Sequence, residues 1–221
     1  MKKGRLIVIE GTDGVGKGTQ TKLLIEHLRS KGNKVETLHF PNYDSPTGKI
    51  VGGPYLGHKD ISECYFKEKS SDIDPKIVSL YYAADFKYNM EKLKEKLDSG
   101  IDIVLDRYIE SNMAYQGGLI EDENKRLEMY KWIEKLNYEL LEIPKPDVVI
   151  FLCASLEETI KLINKRNEQL DAHEQNTYHL ECATKAYLEL ASIYNFTTIE
   201  CIKDGILRSI DDIHKELIKL F

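Results

Sequence analysis

Between an apolar run, Leu6-Ile7-Val8-Ile9, and a helix-patterned stretch, the chain places Gly11-Thr12-Asp13-Gly14-Val15-Gly16-Lys17-Gly18-Thr19. A glycine-rich turn that leaves a buried strand and opens a helix aims backbone N–H groups and the positive end of the helix dipole at one point, where Lys17 adds a cation. The segment reads as a phosphate-binding loop, and every residue of it is a candidate contact for a nucleoside triphosphate. A hydroxyl residue ordinarily follows the lysine. Here Gly18 stands in that place, which leaves the hydroxyl to Thr19.

Short apolar runs at 6–10, 35–40, 101–105, 148–153 and 197–202 alternate with helix-patterned stretches at 19–31, 76–99, 123–142, 156–169, 178–194 and 210–221. That alternation predicts an α/β fold with a parallel sheet covered on both faces. Gly32 and Gly100 fall where glycine ends a helix, and Pro144 and Pro146 stop the helix before the fourth strand. Residues 41–74 differ: Pro46, Gly48, Gly52, Gly53, Pro54 and Gly57 interrupt any period, so the stretch reads as a functional loop. The 221 residues suit one α/β domain.

The balance of 31 Lys+Arg against 37 Asp+Glu leaves a charge of −6, which argues against a broad basic face for nucleic acid. Cations that meet phosphate must therefore be local. Cys64, Cys153, Cys182 and Cys201 form no CxxC pair, which fits a reduced, cytoplasmic setting. No apolar run is long enough to cross a membrane, and Met1-Lys2-Lys3 is not followed by a signal-peptide core. His27, His39, His58, His173, His179 and His214 lack metal-ligand spacing and read as surface or packing residues.

The third strand runs into Asp106-Arg107-Tyr108, so a carboxylate and a guanidinium emerge at the carboxyl edge of the sheet, where ligands of open α/β folds bind. Asp106, with Thr19, reads as the Mg²⁺ site, and Arg107 as a bidentate phosphate clamp. After the second strand comes Phe40-Pro41-Asn42, without an acid. Phosphorylating a hydroxyl usually calls for a carboxylate base, whereas a phosphate acceptor is already ionised near neutrality, so the acceptor reads as a nucleotide. The run Ser111-Asn112-Met113-Ala114-Tyr115-Gln116-Gly117-Gly118 then offers an amide to read a base and an aromatic ring to crowd a sugar.

With these residues in place the chain resembles the thymidylate kinase family. The match includes Ile9-Glu10-Gly11 through Lys17, Phe40-Pro41, Leu80-Tyr81-Tyr82-Ala83-Ala84-Asp85, Asp106-Arg107-Tyr108 through Gly117, Pro146-Asp147, and Tyr187-Leu188-Glu189-Leu190-Ala191. The resemblance implies one P-loop NTPase domain over 1–221 with a five-stranded parallel sheet flanked by helices, an acceptor-side loop at about 41–75 and a short lid at about 164–176. It further implies Mg²⁺-dependent transfer of the ATP γ-phosphoryl group to dTMP, a homodimer and a cytoplasmic location. Asp13 would take the acceptor's 3′-hydroxyl, Arg107 its 5′-phosphate, Asn112 the thymine edge and Tyr82 the base face, while Tyr115 fills the space of a 2′-hydroxyl. Phe40, Pro41 and Gln116 complete the acceptor side.

Phosphoryl transfer also calls for a cation over the moving group. Gly14 excludes an arginine inside the loop, and Asp171-Ala172 stands where lid-type members carry Asp-Arg, which leaves Arg166 beside Lys17 and Arg107 as the catalytic cations. Tyr43 and Phe86 occupy positions where relatives carry phosphate- and base-binding arginines, and Cys153 replaces an aspartate. Two alternatives stay open at this point: another pyrimidine (deoxy)nucleoside monophosphate kinase, or a degenerate nucleotide-binding regulatory protein. A guanine switch is disfavoured, because Asn164-Lys165-Arg166-Asn167 lacks the final acid of its base-reading motif.

Overall fold

Buried along its whole length, β1 (Leu6–Gly11) forms the centre of a five-stranded parallel sheet in the computed structural model, which describes residues 3–165 and 177–221. The other strands are β2 (Val35–His39), β3 (Asp102–Asp106), β4 (Val148–Cys153) and β5 (Thr197–Glu200), in the spatial order β2-β3-β1-β4-β5. The α/β architecture expected from the alternating pattern is thus the one observed. Alternate residues of β1 feed opposite cores, as the strand period requires. Leu6 and Val8 pack with Leu105 and Phe151 under α3 (Pro75–Asp98) and α7 (Thr177–Ile193), while Ile7 and Ile9 pack with Val104 and Leu152 under α1 (Lys17–Ser30) and α8 (Ile210–Leu217).

Register decides where the chemistry converges. Ile9 lies opposite Asp106 and Gly11 opposite Leu152, so the phosphate loop leaving β1 and the Asp106-Arg107 pair leaving β3 meet at one edge. Gly32 and Gly100 close their helices with φ of 86° and 87°, in agreement with the sequence reading.

Three local features depart from expectation. Within 41–74 the chain forms α2 (Pro46–Ile50), which continues as a wider π turn over Val51–Tyr55; Ser45 caps it by accepting from Gly48 N at 2.9 Å, and Pro46 takes the first helical position. Directly after Arg107 the chain forms α4 (Ile109–Asn112), again extended by π winding over Met113–Gly117. The expected fifth strand stops at Glu200, and a small hairpin follows, β6 (Ile202–Lys203) and β7 (Ile206–Leu207), turning through Asp204 and Gly205 at φ 52° and 73°. The remaining helices are α5 (Glu123–Glu134), whose winding widens over Lys135–Leu140, and α6 (Leu156–Lys165). Most of the expected lid, residues 166–176, lies outside the described residues, Arg166 and Ala172 with it.

Glu110 on α4 is a buried carboxyl that accepts from the Tyr138 hydroxyl at 2.7 Å, while its other oxygen has no partner among the described residues. Burial, with the nearby Glu10 charge, pushes its pKa from 4.5 up to about 7. Since the folded value lies above the unfolded one, the fold keeps a proton that the unfolded chain releases, and stability falls as pH rises from 4.5 through about 7. Glu110→Gln, still able to accept from Tyr138, should raise the melting temperature by several degrees at pH 8 and change it little at pH 4.5. Thermal unfolding of both proteins at the two pH values checks this.

Candidate active site

The phosphate loop takes its shape from residues that tolerate it. Gly16, at φ 88° immediately before α1, holds a backbone conformation that L side chains rarely adopt. Lys17 opens α1 with its side chain buried; Nζ donates to Thr12 O at 2.7 Å and lies 3.7 Å from the Asp13 carboxylate. Burial and the neighbouring Arg107 charge lower its pKa to about 8, against the opposing pull of Asp13, Asp106 and Glu10. Thr12 is tied to α6 through a 3.0 Å contact between its hydroxyl and that of Thr159.

Arg107 sits at φ 68°, a left-handed conformation uncommon outside glycine, with its guanidinium turned under the phosphate loop. One end pairs with the Asp13 carboxylate; Nη1 donates to Gly11 O at 3.1 Å, Ser111 Oγ at 3.2 Å and the Tyr187 hydroxyl at 3.3 Å. Its charge also lies 5.5 Å from the centre of the Tyr115 ring, whose hydroxyl donates to Asp13 Oδ2 at 2.7 Å.

Beneath this pair Glu10 is fully buried and accepts four hydrogen bonds, from Tyr108 N (2.8 Å), Ser111 N (3.1 Å), Ser111 Oγ (2.6 Å) and the Tyr187 hydroxyl (2.8 Å). Burial raises its pKa, partly offset by Arg107 and by those donors. The sequence-predicted residues Asp13, Lys17, Arg107 and Tyr115 therefore come together. Sequence reasoning missed the network of Glu10, Ser111 and Tyr187 that supports them.

On the acceptor side Phe40 is a core residue, packed 4.9 Å from Phe86 and 5.9 Å from Tyr108 between ring centres. Phe86 is equally buried, so the residue that follows Ala83-Ala84-Asp85 belongs to the core. Pro41, joined to Phe40 by a cis peptide, lines a cavity of about 520 Å³ together with Gly18, Lys22, His39, Tyr43 and Asp106. Tyr43 turns to His58, 3.2 Å away. Tyr82 is half-buried between Tyr55 and Phe86, 6.2 and 6.4 Å away.

Asp85 fixes the loop after β2 by accepting from Asn42 N, Ser45 Oγ and Thr47 Oγ1 at 2.9 Å each and from Asn89 Nδ2 at 2.7 Å. Asn112 is buried; its Oδ1 faces Ser79 Oγ at 3.4 Å, and its Nδ2 has no partner among the described residues. Both amide atoms of Gln116, fully buried one helical turn later, also lack a partner there. Buried amide groups left unsatisfied cost about 1–3 kcal/mol each, so these two are groups that a polar ligand would complete.

Asp106 bears on the expected Mg²⁺. Its Oδ1 is buried with no partner among the described residues, while Oδ2 lies 3.7 Å from His39 Nδ1. Burial works to raise its pKa, but the His39 contact and the charges of Lys17, His39 and Arg107 hold it below the usual carboxylate range. Gly18 faces this carboxylate: a Cβ there would stand 3.4 Å from Oδ2, and Thr19 is exposed one residue further on. Among the described residues no cluster of three or more His, Cys, Asp or Glu could hold a metal. One ionised carboxylate at the edge of the cavity lined by Pro41, with an oxygen that has no partner among the described residues, suits Mg²⁺, which keeps most of its waters and takes phosphate oxygens.

Comparison with known proteins gives the chain its family and its fold. The profile of the thymidylate kinase family matches residues 9–216. Human thymidylate kinase is 34% identical over 160 residues, which span 72% of this chain and 66% of the human protein. A probable thymidylate kinase of Methanocaldococcus jannaschii is 32% identical over 99% of this chain and 96% of its own. The solved thymidylate kinase of Candida albicans superposes with a TM-score of 0.69 at 25% identity, over 99% of this chain and 91% of that one. A family profile matched from the end of β1 into α8, together with the loop and the strand-end pair that carry its motifs, establishes that the chain belongs to the thymidylate kinase family.

Proposed function

We propose that this enzyme, an ATP-dependent kinase converting dTMP to dTDP, carries out the transfer across the Asp13–Arg107 pair, with the donor phosphates on one side of it and the acceptor phosphate on the other. The observation that carries this reading is the meeting of the phosphate loop and β3 at one edge, with both cations already held at the Asp13 carboxylate. Lys17 lies against the β- and γ-phosphates. Arg107 exchanges part of its contact with Asp13 for the 5′-phosphate, and Asp13 then takes the 3′-hydroxyl. An ionised oxygen of the dTMP phosphate attacks the γ-phosphorus, the bond from phosphorus to the bridging oxygen breaks, and ADP leaves with that electron pair. No general base is required, because the attacking oxygen is already ionised. Mg²⁺ held by Asp106 would supply charge neutralisation on the phosphate oxygens.

Asn112 and Gln116 supply the amide donors and acceptors for the thymine edge, Tyr82 stacks on the base, and the Tyr115 ring fills the place of a 2′-hydroxyl. Arg166 remains the proposed lid cation. Homodimerisation is supported by an apolar stripe on the outer face of α3, where Ile77, Leu80 and Tyr88 are exposed and a groove of about 600 Å³ continues over Leu136 and Leu141. No described helix is long and apolar enough to cross a membrane, and the cytoplasm is the proposed location.

Lys17→Met keeps much of the side-chain length and removes the charge. Turnover in a coupled ADP-release assay should fall at least about a hundredfold, since a preorganised electrostatic group is worth roughly 2.7–4 kcal/mol. Full activity in that variant would remove the phosphate-loop assignment. Arg166→Ala should lower kcat with little change in the KM for dTMP, the signature of a contact made in the transition state.

Across acceptors, dTMP should be preferred over UMP more strongly than over dUMP, because Phe86 is a core residue and cannot read the base. Equal kcat/KM for UMP and dTMP contradicts the reading of the sugar site and leaves the kinase assignment standing.

A further inference from the structure

Among the described residues His179 is the one histidine that is fully buried, and its ring joins three separate parts of the chain. From the third residue of α7, Nε2 lies 2.9 Å from Tyr115 O and Nδ1 lies 3.2 Å from Ser70 Oγ, in the acceptor-side segment. A carbonyl only accepts, so Nε2 carries the hydrogen and donates it, which leaves Nδ1 to accept from the serine hydroxyl. The imidazole also meets the Tyr115 ring edge-on, with centres 5.7 Å apart.

We propose that His179 is a positioning residue for the sugar site: it holds the backbone and ring of Tyr115 in place and thereby sets discrimination against a 2′-hydroxyl. This rests on the reading of Tyr115 as the sugar wall. The phenol is fixed at its tip by Asp13, on one side by the Arg107 charge, and across a perpendicular contact by Tyr187 at 6.3 Å. Those contacts set where the hydroxyl goes. The root of the side chain is set by the peptide at Tyr115, in the last turn of the helical run from α4, where carbonyls take donors from outside the helix. His179 is such a donor, and its ring also meets edge-on the ring it anchors.

A wall that rejects one hydroxyl must be placed to within a fraction of an ångström, because an error of about 1 Å is enough to admit the oxygen or to misplace the phosphate. Through Ser70 the same imidazole ties the acceptor-side segment to that wall, so the loop and the sugar site share one fastening.

The test compares dTMP with ribothymidine 5′-monophosphate, which differ only in the 2′-hydroxyl, in wild type, His179→Leu, His179→Gln and Tyr115→Ala, with thermal unfolding of each. His179→Leu keeps a similar volume without hydrogen bonds and should lower the deoxy-to-ribo ratio of kcat/KM at least about fivefold, mainly through a lower KM for the ribonucleotide. His179→Gln can donate to Tyr115 O and accept from Ser70 Oγ, and should restore most of the ratio. A folded His179→Leu enzyme whose ratio stays within about twofold of wild type overturns the proposal. If His179→Leu does not fold, Ser70→Ala decides in its place: a lowered ratio supports the proposal and an unchanged one overturns it. Tyr115→Ala separates the two possible failures, because a ratio that survives its loss removes the sugar-wall reading itself.

Discussion

A largely buried guanidinium beside a phosphate loop is tolerable only if charge and hydrogen bonds compensate it, and Arg107 is so placed. Asp13 pairs with Nη2 from the loop, Gly11, Ser111 and Tyr187 surround Nη1 as acceptors, and Glu10 lies near as a second carboxylate. Burying an uncompensated charge costs several kcal/mol, so removing any one of these groups would disturb the rest. The left-handed backbone at Arg107 is part of the same arrangement: it turns the side chain back toward β1 instead of outward with the strand. The parallel register of β1 and β3 then brings that side chain to the loop.

This arrangement prepares for a phosphate before one arrives. Lys17 and Arg107 stand over the single carboxylate of Asp13, so an incoming phosphate meets donors that are already oriented and already desolvated. The acceptor side is prepared by a second buried carboxylate. Asp85, raised in pKa by burial, gathers Asn42, Ser45, Thr47 and Asn89 and so sets the path of the loop after β2. Between these two centres lie the aromatic core of Phe40, Phe86 and Tyr108 and the buried amides of Asn112 and Gln116.

Much of this was legible in the sequence. The three central strands β1, β3 and β4 are apolar runs, and Asp106-Arg107 follows its strand directly, so local pattern was sufficient there. The short helix α2 and the π turn that continues it were hidden because Gly48, Gly52 and Gly53 imitate a loop. Gly48 is there for space: a Cβ would stand 1.9 Å from Asn42 O, a clash that no neighbouring residue reveals in the sequence. The hairpin after β5 did carry a signal, Asp204-Gly205, but the apolar run to Ile202 obscured it. What no local reading could supply were contacts distant in sequence, such as Glu10 with Tyr187 or His179 with Ser70 and Tyr115. Each of these residues looks like ordinary core or helix surface until the fold is closed.

The central claim is that Arg107 belongs to the acceptor phosphate and not to the donor nucleotide. Calorimetric titration of Arg107→Lys with dTMP and, separately, with ATP tests this most directly, because lysine keeps the charge and loses the planar fork. The account predicts at least about a tenfold loss of dTMP affinity, with ATP affinity within about twofold of wild type. Unchanged dTMP binding, or an equal loss for both nucleotides, would contradict it.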